Sequence, residues 1–182
     1  MFEVEQKYRV DCVSDVAVQL EALHAIPIPR QVHEDIYYAH PSRDFRETGE
    51  ALRIRKINSV ASVTYKGPKV PAQMKVRKEL EWSLGSGDLD GSQMMELFQM
   101  LGFAEVATVR KKRDLYQLPD DLTVVLDEVD QLGNFAEIER IVTHESQIEP
   151  AMAAIGELGM QIGLKKKESQ SYLGMLLQLP SN

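Results

Sequence analysis

The sequence predicts an α+β fold in which a curved sheet carries charged side chains on its inner face and helices cover its apolar outer face. Two observations support this prediction. Apolar and charged residues alternate with a period of two along several predicted strands, and the charged faces repeatedly place arginine beside paired carboxylates. A water-exposed face usually mixes Lys, Glu, Thr, Ser and Gln, whereas arginine beside carboxylates suits an enclosed polar interior.

The elements follow one another along the chain. Helix signals are Ser14 as an N-cap, Asp88 as an N-cap and Gly102 as a stop. Strands are predicted over residues 2–10, 31–39, 50–58, 60–67, 74–83, 104–117, 122–130 and 134–142. Helices are predicted over 14–24, 88–101 and 147–160, and a last amphipathic segment over about 169–178.

Length and composition indicate one domain, residues 1–182. The 43% hydrophobic and 27% charged fractions are ordinary for a globular protein. No apolar run approaches the roughly 18 residues of a membrane span, and no export signal opens the chain, so a cytoplasmic location is expected. Cys12, the single cysteine, cannot form an internal disulfide and is expected to be a structural thiol.

The formal net charge of −7 argues against a nucleic-acid binder, which normally needs a basic surface. Lysine and arginine nevertheless concentrate in 53–56, 66–78 and 110–113, which fits a small polyanionic ligand. The four histidines are too scattered for a metal motif and are expected to be surface or packing residues.

The strand at 74–83 illustrates the two faces. Met74, Val76, Leu80 and Trp82 oppose Lys75, Arg77, Glu79 and Glu81. One interpretation is a sheet whose apolar face packs on a core and whose charged face meets water. Because several strands repeat the pattern, charged faces that converge on a polar lumen are favoured. Glu79 and Glu81 would then balance the cations there.

Paired acids predict a metal site. Glu3 and Glu5 in EVEQK lie about 6.6 Å apart on one face of a strand. Glu137 and Glu139 repeat this spacing, and Asp127 adds a carboxylate just before them. All-oxygen ligands favour Mg²⁺ or Mn²⁺ over zinc. The alternative is an exposed polar face without a metal.

Paired cations predict a phosphate site. They stand two apart in ALRIRK, KVRKELE and RKKRDLY, with a further lysine in YKGP. A triphosphate carries about four negative charges, and its transfer chemistry consists mostly of positioning and electrostatic stabilisation. The sequence contains neither a P-loop nor a nucleophile elbow. The predicted phosphate-binding residues are Lys7, Arg53, Arg55, Lys66, Lys75, Arg77, Lys111 and Arg113.

An ordered set of motifs resembles the CYTH superfamily, also called triphosphate tunnel metalloenzymes. EVEQK, ALRIRK, YKGP, RKELE, RKKRDLY, VVLDEVDQLGNFAEIE and SYLGMLL span nearly the whole chain. HEDIYYAHPSRDFRETGEALRIRK resembles the class IV adenylate cyclase branch. The resemblance implies an eight-stranded antiparallel barrel that forms a tunnel with flanking helices. It also implies a divalent metal on carboxylates and a triphosphate held by Lys and Arg.

The resemblance also implies roles for individual residues. Glu3, Glu5 and Glu137 match the metal-side acids, with Asp127 and Glu139 close to them. Lys7 and Tyr37 match the pair that prepares the attacking water in thiamine triphosphatase relatives, although Tyr37 could equally be a packing residue. The matching phosphate-binding cations are Lys7, Arg53, Arg55, Lys66, Arg77, Lys111 and Arg113.

Three functions remain open at this point. The first is a metal-dependent triphosphatase, a hydrolase of tripolyphosphate, thiamine triphosphate or a nucleoside triphosphate. The second is a class IV adenylate cyclase that converts ATP to cAMP and pyrophosphate. The third is a non-catalytic polyphosphate or nucleotide sensor. The cyclases of this branch resemble one another in a His-Phe pair before E-x-E-x-K, and only Met1 and Phe2 stand there.

Three further expectations follow. A homodimer is plausible by resemblance to such barrels. Alanine at Arg55 or Arg113 is expected to weaken triphosphate binding and to leave the fold intact, because it relieves repulsion among the cations. A basic turn exposed to water is expected at Lys165–Lys167, with closure of a tunnel mouth as the alternative.

Overall fold

A computed structural model describes residues 2–70 and 75–180, and the side chains of residues 69, 70 and 75 lie outside the described part. All strand pairings are antiparallel, in the order β5-β4-β3-β2-β6-β7-β8-β1, and pairing of β1 with β5 closes the sheet into a barrel. The eight-stranded barrel is therefore confirmed. Its strands are β1 Phe2–Arg9, β2 Ile26–Ala39, β3 Ala51–Ile57, β4 Val60–Val70, β5 Lys75–Ser83, β6 Ala104–Gln117, β7 Leu122–Val129 and β8 Gly133–Val142.

Strand β2 begins five residues earlier than the sequence predicts. Pro27 and Pro29 in this stretch favour a loop prediction, because proline cannot donate to a ladder. The structure accommodates them beside β6 with a register shift between Ile28 and Gln31. A short strand β9, Lys166–Glu168, replaces the expected basic turn and pairs with the second half of β1.

Helices lie outside the barrel. They are α1 Val13–Ala22, α2 Phe45–Thr48, α3 Ser92–Met100, α4 Ile148–Gln161 and α5 Tyr172–Leu176, with a 3-10 turn at Glu145–Gln147. The N-cap prediction for Ser14 is wrong, since Cys12 holds that position and makes no side-chain cap bond. The N-cap prediction for Asp88 is also wrong in position, since Gly91 is the N-cap of α3. Asp88 nevertheless accepts backbone N–H bonds from the first turn of α3, from Gln93 at 3.0 Å and Met94 at 2.9 Å.

Apolar side chains point out of the barrel and pack under the helices. One core joins strands β1, β7 and β8 to α1 and α4, and includes Val4, Leu20 and Ile155. A second core joins β2, β3 and β4 to α3, where the Tyr38 and Phe98 rings meet edge to face. The predicted apolar outer face is confirmed. The inner face is not charged throughout, because Tyr37, Val109, Val129 and Phe135 form a third apolar cluster there with Tyr172 and Met175 of α5. None of the helices in the described residues is long and apolar enough to cross a lipid bilayer.

Helix α4 approaches β1 very closely at Gly159. A Cβ atom built on this glycine would lie 2.6 Å from the Tyr8 hydroxyl oxygen. Only a residue without a side chain therefore allows this contact. The contact matters for the interior of the barrel because Tyr8 lies on the same strand as Glu3, Glu5 and Lys7.

Candidate active site

Strand β1 is buried on both of its faces. Val4 and Tyr8 point outward into the core, and Glu3, Glu5 and Lys7 alternate with them. These three charged residues are also buried, with Lys7 only 2% exposed. Charged side chains on the inner face can be buried in this way only inside an enclosed lumen.

Three carboxylates meet on the inner wall. Glu5 lies opposite Glu139 across the β1–β8 ladder, and one oxygen from each of Glu3, Glu5 and Glu139 lies within 4.8 Å of the others. Burial, together with the nearby Glu137, Glu3 and Glu5, raises the pKa of Glu139 to about 8 against the opposing effect of Arg113. A crowded set of oxygen ligands of this kind suits a hard divalent cation.

The acid cluster is reached from outside. A cavity of about 320 Å³ is lined by Gln117, Asp121, Thr123, Glu139 and Ile141. Strand pairing places Thr123 directly opposite Glu139. Solvent and small ions can therefore approach Glu139, one acid of the cluster, at this end of the barrel.

Basic residues flank the acid cluster. The Lys66 ammonium contacts Glu3 and lies 2.9 Å from Glu79, which supports a charge-balancing position for Glu79. Arg77 is buried, and its backbone pairs with that of Glu3. The backbone of Lys75 pairs with Glu5, but the predicted role of its side chain falls outside the described part, as does Met74.

Asp127 and Glu137, predicted as metal ligands, lie among the cations. Asp127 is fully buried and accepts two bonds from Arg113, at 2.7 and 2.6 Å, and one from the Tyr172 hydroxyl at 2.9 Å. Glu137 lies 2.9 Å from Arg113 and 3.1 Å from the Lys7 ammonium. Burial opposes ionisation of Asp127, but Arg113 and then Lys111 lower its pKa. These two acids therefore orient cations, whereas Glu3, Glu5 and Glu139 form the cluster.

A second acid orients the arginines of strand β3. Asp35 accepts two bonds from Arg55, at 2.7 and 2.9 Å, and one from Arg53 at 3.1 Å. Arg53 also donates to the Tyr37 hydroxyl at 3.2 Å. Tyr37 therefore faces the lumen and contacts a residue that is predicted to bind phosphate. Sequence reasoning missed Asp35, although its alternation with Tyr37 in HEDIYY places both on one strand face.

The segment before and within α5 surrounds Lys7. The Lys7 ammonium lies 3.6 Å from the centre of the Tyr172 ring and donates to the Gln170 carbonyl at 3.3 Å. Tyr172 thus contacts both Lys7 and Asp127. Sequence reasoning gave this segment no site residue, because no local pattern relates a C-terminal helix to the interior of a barrel.

His33 is neither a surface residue nor part of the apolar core. It is 2% exposed, alternates with Asp35 and Tyr37, and pairs with Lys111 across the β2–β6 ladder. Burial, followed by the charges of Arg55, Lys111 and Arg113, lowers its pKa to about 3. The lumen-facing wall therefore contains a neutral imidazole that the sequence did not single out.

The described part of the chain thus forms an antiparallel barrel with acidic and basic groups on one enclosed wall, the architecture of a tunnel protein. The chain belongs to the CYTH domain family, which it matches over residues 1–172. The family resemblance predicted from the motifs is confirmed.

Individual relatives support the family assignment. The chain is 36% identical over 175 residues to MJ0240 of Methanocaldococcus jannaschii, which carries a provisional adenylate cyclase name. The match covers 95% of this chain and 97% of the relative. The chain is 24% identical over 176 residues to adenylate cyclase CyaB of Aeromonas hydrophila, covering 94% and 86% of the two chains.

Solved structures share the fold. The PH1819 protein of Pyrococcus horikoshii OT3 superposes with a TM-score of 0.87 at 37% identity, covering 97% of this chain and 98% of that one. HpAC1 of Hippeastrum, described as having a dominant triphosphatase activity, superposes with a TM-score of 0.66 at 16% identity, covering 97% and 94%. The second likeness shows a common fold only.

Proposed function

We propose that the protein is a metal-dependent hydrolase of triphosphates. The observation that carries this proposal is the juxtaposition, inside one barrel, of the Glu3, Glu5 and Glu139 cluster with a wall of buried arginines and lysines. Acids alone would suit a metal store, and cations alone would suit an anion carrier. The combination suits a substrate whose phosphate chain is held at once by a metal and by basic side chains.

The acid cluster fits a divalent ion. The CYTH family is metal-dependent in general, and three carboxylate oxygens within 4.8 Å match the oxygen preference of Mg²⁺ and Mn²⁺. Glu3, Glu5 and Glu139 would hold this ion. When bound, it would neutralise charge on the phosphoryl oxygens of the substrate.

The cations would hold the phosphate chain in a prearranged geometry. Asp35 fixes Arg53 and Arg55, and Asp127 fixes Arg113, so these side chains need little reorganisation when an anion enters. A guanidinium has five N–H donors, which leaves donors on each for phosphoryl oxygens. Lys66, Arg77 and Lys111 would add charge along the same wall.

Hydrolysis joins water to the terminal phosphorus. The water oxygen bonds to that phosphorus, the bridging P–O bond breaks, and the bridging oxygen leaves with the diphosphate end. The surplus proton passes to solvent. Lys7, held between Glu137 and the Gln170 carbonyl, and Tyr37, held by Arg53, are the groups that we propose to orient the attacking water.

Adenylate cyclase is the second candidate, because the relatives from Methanocaldococcus and Aeromonas carry cyclase names. In that reaction the ribose 3′-hydroxyl of ATP attacks the α-phosphorus and releases pyrophosphate. The same lumen would serve, with a different phosphorus facing the nucleophile.

One assay separates the candidates. Purified protein is incubated with tripolyphosphate or ATP and with Mg²⁺ or Mn²⁺, and orthophosphate, pyrophosphate and cAMP are measured. Orthophosphate from ATP, or equal amounts of orthophosphate and pyrophosphate from tripolyphosphate, supports the triphosphatase. cAMP as the main product from ATP overturns it. Tight binding without any product would indicate a sensor. Glu5→Gln is the test variant, and the exposed Glu157→Gln on α4 is its matched control.

A further inference from the structure

One ring nitrogen of His33 makes a hydrogen bond, and the other has no partner among the described residues. Its Nε2 lies 2.7 Å from the Gln31 amide oxygen, so Nε2 carries the proton and donates. Its Nδ1 is buried and has no hydrogen-bond partner among the residues that the structure describes. Buried polar atoms are almost always satisfied, so an unpartnered ring nitrogen in a polar lumen is a candidate contact for a ligand.

The surroundings of His33 are arranged for an anion. Strand β6 contributes Lys111 and Arg113, strand β3 contributes Arg55, and β2 itself contributes the carboxylate of Asp35. The arginines and the lysine disfavour a fourth positive charge, and the single carboxylate is already shared between Arg53 and Arg55. Burial and these cations together favour the neutral imidazole when no anion is bound.

We propose that His33 is a further phosphate-binding residue, which takes up one proton from solvent on Nδ1 when a triphosphate fills the tunnel and donates it in a hydrogen bond to a phosphoryl oxygen. This inference rests on the proposed function. About four negative charges on the ligand offset the repulsion from the cations around the ring, and the hydrogen bond to a phosphoryl oxygen offsets the cost of burying a charged imidazole. Nε2 keeps its bond to Gln31 throughout.

This role differs from that of a packing histidine. A ring held only for its shape would be satisfied on both nitrogens or would lie against apolar side chains, and its charge would not respond to a ligand. His33 instead shares its strand face with Asp35 and Tyr37, inside the cation wall. Its charge should therefore report whether the tunnel is filled.

The direct test uses the diimido analogue of tripolyphosphate, whose bridging nitrogens resist hydrolysis, with Mg²⁺ at pH 6. Nitrogen-15 NMR of the imidazole rings reports the charge of each of the four histidines, and His33→Gln assigns the His33 signals. We expect a neutral His33 ring in the free protein and a cationic ring in the complex. A ring that stays neutral in the bound complex overturns the inference.

Calorimetry in buffers of different ionisation enthalpy gives a second readout. We expect wild-type protein to take up about one more proton on binding than His33→Gln does. We also expect His33→Gln to bind the analogue about 10-fold more weakly at pH 6, the size of one charge-assisted hydrogen bond. His144→Gln, at an exposed histidine, is the matched control and should behave as wild type. Equal proton uptake by wild type and His33→Gln overturns the inference.

The proposed function has its own readout. Wild-type protein that hydrolyses tripolyphosphate while His33 stays neutral in the analogue complex retains the function and loses only the role of His33. Wild-type protein that neither binds the analogue nor hydrolyses tripolyphosphate overturns both. The His33 signals can also be assigned by elimination, from the variants His24→Gln, His40→Gln and His144→Gln. A folding defect in His33→Gln therefore does not affect the outcome of the NMR measurement.

Discussion

Glu5 and Glu139 lie directly opposite each other across the β1–β8 ladder, and Glu3 joins them within 4.8 Å. Like charges placed opposite each other on a sheet destabilise it. The empty barrel carries this repulsion within its own wall, and burial together with the neighbouring acids raises the pKa of Glu139 to about 8. The free energy of unfolding and metal binding are therefore connected through this pair.

Glu139→Gln should make the metal-free protein more stable at pH 8 and should reduce metal-dependent turnover by about 10²-fold or more. With its pKa raised, Glu139 binds more protons folded than unfolded between about pH 4.5 and 8. Stability due to this residue therefore falls as pH rises through that window. Thermal unfolding at pH 5 and pH 8, beside Glu157→Gln, measures the effect. An unchanged pH 8 stability would contradict it.

Asp127→Asn should destabilise the protein by about 3–5 kcal/mol, because Arg113 and Lys111 would lose their buried partner. Mg²⁺ affinity should change only a few-fold, since Asp127 lies outside the acid cluster. Urea unfolding and Mg²⁺ titration of the folded variant provide the two measurements. A loss of Mg²⁺ binding as large as that of Glu5→Gln would return Asp127 to the metal site.

Arginine replacement should have unequal effects at two predicted phosphate ligands. Sequence alone predicts that Arg55→Ala and Arg113→Ala both leave the fold intact. In the structure, Arg113 is held by both Asp127 and Glu137, whereas the Asp35 partner of Arg55 retains Arg53. We now expect a clear loss of stability for Arg113→Ala and a smaller one for Arg55→Ala. Chemical unfolding compares the two, and equal stabilities would contradict the structural argument.

His33 should make the empty protein sensitive to mild acid. Its pKa falls from the ordinary value of 6.5 to about 3 in the folded state. Between these pH values the unfolded chain therefore binds a proton at His33 that the folded chain does not bind. Above about pH 6.5 this difference does not lower the free energy of unfolding, and below it the free energy of unfolding declines as pH falls toward 3. The unfolding free energy of His33→Gln should therefore decline less than that of wild type between pH 7 and 5. Parallel pH profiles would refute this.

Gly159→Ala should destabilise the protein by about 1–3 kcal/mol, because the added methyl meets the Tyr8 hydroxyl at 2.6 Å. Tyr8→Phe removes that oxygen, so the double variant should recover part of the lost stability. A double-mutant cycle on thermal unfolding measures this coupling. Additive effects would show that α4 and β1 accommodate the methyl by another movement.

Period-two patterning was sufficient to place Glu3, Glu5 and Lys7 on the inner face, because a strand allows only two directions for a side chain. It was not sufficient to say which acid meets which cation. Asp127 and Glu139 both point inward from neighbouring strands, yet one is bonded by Arg113 and the other joins Glu5. The stagger between strands decides this, and no single strand contains that information.

Other residues were missed for local reasons. The first residues of β2 were not predicted as strand because they include Pro27 and Pro29, and proline usually marks the end of a strand. His33 appeared as one histidine in a mixed polar run, and only the enclosing β3 and β6 give it a special environment. Tyr172 belongs to a short helix far along the chain, so its contact with Lys7 exists only in three dimensions.

The pairing partners of strand β1 are all distant from it in the chain: residues 75–78 of β5, 135–142 of β8 and 166–168 of β9. Ladders between such distant segments form slowly, because a long loop must close before any contact rewards it. Barrel closure should thus be among the last events of refolding. A partly folded chain would hold Glu5 and Glu139 on separate segments, so catalytic competence should emerge abruptly with the final ladder.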